Sequence, residues 1–163
     1  MTWTLAFYRS ASWPDETGTT TNGGAINLSD PITGAMYEVF GAAVSNFAGG
    51  QAHSIYRKVF IRNEDSDTIQ DAAVFLDNAK YPGQVTIAAE KSGSDTSTDP
   101  STAPATYTFV DADGQTGAIA QIVGGADVAV NGSMGLWLHL EVPAGLAEAD
   151  PFVPLDVVMI GTR

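Results

Sequence analysis

Cysteine is absent from this chain of 163 residues, which removes disulfides, zinc ribbons and thiol catalysis together. Basic residues are scarce: seven Lys and Arg stand against 19 Asp and Glu, for a formal net charge of -12. No nucleic-acid partner is expected, because affinity for a polyanion comes mostly from neutralised phosphates. The acidic excess suits instead a surface that stays soluble or meets a basic partner. Long apolar runs are missing too, and none reaches the length of a membrane span. Met1 to Tyr8 carries no basic leader region. The expectation is a soluble protein with no membrane partner that starts its life in a cytoplasm.

Charged residues make up 16% of the chain, and Thr, Ser, Gly and Ala fill much of the rest, a balance suited to strands and turns. A chain of this length buries roughly 70% of its unfolded surface and needs no staples. The most informative stretch runs from Gln51 to Asn63. Side chains alternate across a strand, so Ile55, Arg57, Val59 and Ile61 face one way and Tyr56, Lys58, Phe60 and Arg62 the other. Large side chains on both faces place this strand, His53 to Arg62, well inside a sheet. Arg57, on the more aliphatic face, needs a carboxylate or carbonyl partner.

Further strands are expected at Thr2 to Tyr8, Ala25 to Leu28, Met36 to Phe40, Ala72 to Leu76, Gln84 to Glu90, Thr106 to Val110, Met134 to Val142 and Phe152 to Ile160. Turns fall at Asn22-Gly23-Gly24, Asn63 to Asp67, Tyr81-Pro82-Gly83, Asp111 to Gly114 and Asn131-Gly132. Only Gln115 to Val123 has a helical look, ended by Gly124-Gly125. Short strands between turns predict an all-β fold, an antiparallel β-sandwich of jelly-roll or Ig-like type with about 8–10 strands. Residues 1–24 read as an N-terminal strand and arm, and residues 25–163 as the sandwich. Ser92 to Pro104, with the sequence SGSDTSTDPSTAP, reads as a loop able to lie across a neighbour.

Catalytic constellations are thin. His139 sits on the Trp137 and Glu141 side of its strand and reads as a cross-strand residue. His53 adjoins Ser54, but neighbours in a strand face opposite ways and cannot form a nucleophile and base directly. No G-x-S-x-G elbow is present. Most carboxylates lie in turns, as solvated charge. Asp111-Ala112-Asp113-Gly114 has the alternating oxygens and turn glycine of a calcium loop but no closing bidentate Glu, so Asp111 and Asp113 are calcium candidates set against an Asx-type turn. No other cofactor is expected. Trp3, Phe7, Tyr8 and Trp13 have three readings: packing on the sandwich, an arm anchored on another subunit, or a carbohydrate platform. Under the second, deleting residues 1–24 leaves a folded sandwich that no longer docks.

The order of features resembles β-rich virion structural proteins of tailed bacteriophages. Phe7-Tyr8, Gly23 to Ile26, Met36-Tyr37-Glu38-Val39-Phe40 with Val44-Ser45, Gly50 and the Ile55 to Asn63 strand follow one another. In such proteins an arginine-bearing "YR.V...N" strand precedes a polar turn and strands like Ala73 to Leu76 and Val85 to Ala88. Leu136-Trp137-Leu138 followed by Glu141-Val142-Pro143-Ala144-Gly145 is similar to their "lWl...vPaG" element, here with His139 and Glu141 where relatives carry basic residues. The resemblance implies a non-enzymatic virion protein assembled in the host cytoplasm. Capsid decoration or cementing leads, with the major capsid protein as partner and self-association into a homo-oligomer. Its alternatives are a neck, tail or baseplate component and a carbohydrate-binding or receptor-binding module.

Overall fold

The computed structural model describes residues 3–13, 20–33, 39–40, 52–77, 85–111, 120–121, 127–142, 144 and 156–163. Among the described residues nine strands form: β1 (Leu5–Ser12), β2 (Asn22–Pro31), β3 (His53–Asn63), β4 (Gln70–Asp77), β5 (Val85–Ala89), β6 (Thr96–Ser97), β7 (Ala120–Gln121), β8 (Ser133–Val142) and β9 (Asp156–Thr162). One sheet has six strands in the order β5-β8-β3-β1-β2-β6, and a second has three in the order β7-β4-β9. Every pairing is antiparallel. The chain is thus an all-β sandwich, with no helix among the described residues.

Alternation decides how the sheets face each other. Ile55, Val59 and Ile61 of β3, Met134, Leu136, Leu138 and Leu140 of β8, and Val85 and Ile87 of β5 point to one side of the large sheet. There they meet Ala72, Val74 and Leu76 of β4 and Val157 and Met159 of β9 in one core. The strand β3 occupies the interior of its sheet, between β8 and β1, as its two-faced pattern requires. Arg57 sits on the core side, only 2% exposed. Its Nη1 donates to the carbonyl of Tyr56 (3.2 Å), and its guanidinium lies 5.4 Å from the Trp13 ring centre.

Several boundaries differ from expectation. The N-terminal segment is a full strand of its own sheet over residues 5–12, paired with β3 on one edge and β2 on the other. Its second half, Arg9 to Ser12, lacks an apolar pattern and is held by its two neighbours instead. The turn expected at Asn22-Gly23-Gly24 is the start of β2. Gly23 takes φ +100°, and an added Cβ there would lie 2.8 Å from the Trp137 ring and 2.7 Å from the Asp95 carbonyl, so this glycine serves close packing rather than a turn. Asn131-Gly132 does turn, with Asn131 at φ 61°.

Ala120 and Gln121, inside the expected helix, pair with Val74 and Ala73 as β7; tertiary pairing overrides the local pattern, and the other residues of that helix lie outside the described ones. Val39 and Phe40 are buried but not in a strand, while Met36 to Glu38 lie outside. Of Thr106 to Val110, only Val110 bridges, to Ile87.

Candidate functional site

The face of the six-stranded sheet turned away from the core carries Tyr56, Lys58 and Phe60 from β3, Gly135, Trp137 and His139 from β8, and Thr86 and Ala88 from β5. It is not open to water. The segment 91–111 crosses it as a strap. Thr96 and Ser97 pair with Gly23 and Asn22, the Tyr56 amide donates to the Pro100 carbonyl (2.7 Å), and Val110 exchanges two 2.9 Å bonds with Ile87. The expected loop over a neighbour is, in its described residues, a cover for its own sheet.

Beneath the strap Lys58 is 0% exposed. Its Nζ stands 2.9 Å from Glu90 Oε2 and donates to the carbonyls of Gly24 (3.1 Å) and Ser92 (3.2 Å). An ammonium has three donors and no lone pair, so Lys58, with two carbonyl hydrogen bonds and one ion pair, has no nucleophilic role here. The Phe60 ring lies 4.9 Å from the same nitrogen. Glu90 Oε1 in turn accepts the Gly135 amide at 2.6 Å. This charge pair closes upon itself and ties β2, β3, β5 and β8 to the strap, as a buried ion pair must if desolvation is to be offset.

Trp137, 0% exposed, lies beside it under Tyr107, with ring centres 6.3 Å apart. Among the described residues its Nε1 has no hydrogen-bond partner. Lys91 fixes the strap from outside: its amide donates to the Tyr107 hydroxyl (2.7 Å) and to Asp95 Oδ2 (2.9 Å), and its Nζ to the Thr106 carbonyl. Thr106 takes φ 68°, a left-handed conformation costly for a β-branched residue.

At the other end of this face His139 stacks on Tyr56, with ring centres 4.3 Å apart and planes 7° from parallel. Phe109 meets both edge-on, at 5.3 Å from Tyr56 and 5.6 Å from His139. Burial holds the His139 imidazole below its ordinary pKa, against the opposing pull of Glu141. Burial also raises the Tyr56 phenol, with Glu141 acting in the same sense and the Ser54 hydroxyl opposing.

The residues singled out from sequence are not gathered into one place. Trp3 and Phe7 pack against the core, and Trp3 also takes the Arg163 guanidinium over its ring at 5.2 Å. Tyr8, on the opposite side of β1, donates its hydroxyl to Glu64 Oε1 (3.2 Å). Trp13 packs on the core and lies 5.4 Å from both the Arg9 and the Arg57 guanidinium. Asp111 is exposed at the end of the strap, and Asp113 lies outside the described residues. No group of three or more His, Cys, Asp or Glu converges among the described residues as a metal would require.

Lys58, Glu90 and Gly135, which make the most constrained polar arrangement, were not singled out from sequence. The usable signal was Lys58 itself, a cation held between Tyr56 and Phe60 in the middle of an interior strand. Comparison with known protein families, curated proteins and solved structures returns no match.

Proposed function

We propose that this chain is a non-enzymatic structural protein of a tailed-phage particle, seated on the capsid surface as a decoration or cement protein. One observation supports the reading above others. The two sequence elements that carry the resemblance are direct neighbours: β3, with its Tyr56-Arg57 pair, runs in register against β8, with Leu136-Trp137-Leu138, from His53 opposite Val142 to Arg62 opposite Ser133. They form one paired unit of the large sheet. The ion-paired, buried Lys58 and the stacked His139 have packing roles, which suits a scaffold better than a catalyst.

Stoichiometry tests the proposal. Mass spectrometry of purified particles is expected to find the protein in hundreds of copies; six or twelve would assign a neck, tail or baseplate position instead. Its absence from particles, with binding on a glycan array, would replace the virion reading with the carbohydrate-binding one.

A further inference from the structure

We propose that His139 and Phe109 form an acid-sensitive clasp: residues 108–111 lie closed on the sheet while the His139 ring is neutral, and lift when it takes up a proton. The inference rests on the geometry of the outer face and is independent of the virion reading.

The closed arrangement uses every side of the imidazole. One face is covered by Tyr56, and the Phe109 ring stands edge-on against it. Nδ1 lies 3.1 Å from the Thr86 hydroxyl. Nε2 is buried and, among the described residues, has no hydrogen-bond partner. A neutral ring tolerates this, because the nitrogen without a proton is only a weak acceptor left idle. An imidazolium does not, because both nitrogens must then donate and one charged N–H would be sealed from water without an acceptor.

The surroundings offer little relief. Tyr56 and Ser54 from β3 and Thr86 from β5 carry no charge at the pH where an imidazole titrates. Lys58, one cross-strand position further along the same face, is a cation and is already paired with Glu90 at the end of β5. Glu141 on β8 favours the proton, yet burial outweighs it. Asp111, at the end of the strap, is exposed and has a contact of its own.

The part that would move is held by few contacts among the described residues. Lys91 grips Thr106 and Tyr107, so the strap stays fixed up to there. Beyond it, the segment is held by the Val110 bridge to Ile87, the contacts of the Phe109 ring and a contact of Asp111. Val110 itself is exposed. Segments with so few buried contacts open first. Lifting them would hydrate the His139 ring and free the outer edge of β5, a row of backbone donors and acceptors able to pair with another strand.

Because the closed form holds the imidazole below its ordinary value of 6.5, the closed form is fully favoured above that value and loses ground as pH falls through it. The Ile87 and Val110 amides, which donate to each other's residues, report the opening directly. Their hydrogen exchange, corrected for intrinsic rates, is to be followed between about pH 8 and pH 5. The opening constant is expected to rise about tenfold per pH unit once the open form begins to protonate. His139→Phe is expected to keep both amides protected at every pH. An unchanged pH dependence in that variant, or none in the natural protein, overturns the proposal. Should the variant not fold, the natural protein decides alone: exchange of the Ile87 and Val110 amides that rises as the His139 ring protonates in an NMR titration supports the clasp, and exchange that does not follow that titration overturns it.

Discussion

Lys58 and Glu90 meet 2.9 Å apart across Gly135, the one position of β8 with no side chain to keep them separate. Lys58 lies on β3 and Glu90 directly after β5, strands that do not pair and have β8 between them. A Cβ at Gly135 would collide with the Glu90 carboxylate and come within 2.8 Å of Lys58 Cε.

Gly135→Ala is therefore expected to destabilise by about 1–3 kcal/mol, through overpacking and a displaced ion pair. Urea denaturation measures it, and a change within error would mean that the pair can be rearranged without loss.

Removing one partner should be worse than removing both. Glu90→Ala leaves a fully buried ammonium with two carbonyls only, at a cost of about 3–5 kcal/mol. Lys58→Met combined with Glu90→Leu is expected to recover much of that, since an apolar pair needs no compensation. Strict additivity in the double-mutant cycle would argue that the two groups are energetically independent.

Val59 and Ile61 lie in the core with no exposure, and truncating either to alanine is expected to cost about 2–4 kcal/mol in a thermal or urea melt. Leu28, 54% exposed on β2, is the internal control: Leu28→Ala should stay within about 0.5 kcal/mol.

Deleting residues 1–24 removes β1 from between β3 and β2 and strips Phe7 from the core. The expected result is loss of the cooperative thermal transition. A truncated chain that melts cooperatively would restore the reading of this segment as an arm for a neighbouring subunit.

Strands whose two faces both need covering were readable in the sequence, because alternation of large side chains survives any tertiary context. The expected His53 to Arg62 and Met134 to Val142 became β3 and β8 with boundaries shifted by a single residue each. What could not be read was structure held by backbone and polar groups. The pairing of Thr96-Ser97 with β2 has no apolar signal, and the burial of Lys58 depends on carbonyls of Gly24 and Ser92, residues distant in sequence. Gly23 looked like a turn because a glycine needed for close approach to Trp137 is, in one dimension, the same letter as a glycine needed for chain reversal. The outer face was hidden for a related reason: its cover is written in Ser, Thr, Asp and Pro, the composition of a linker.

The pairing of β3 with β8 bears also on how the chain is made. During synthesis the apolar face of β3 leaves the ribosome long before its partner, and until Ser133 to Val142 follow, Ile55, Val59 and Ile61 have no strand on that side. Until then β3 has β1 on one edge and an open edge opposite, which invites pairing with another nascent chain. Such distant pairing also makes for slow folding, because a long loop must close before the central contacts form. The cations of β3, Arg57, Lys58 and Arg62, repel a second copy of the same strand during that interval and so act as gatekeepers, before Arg57 and Lys58 are buried in the finished fold.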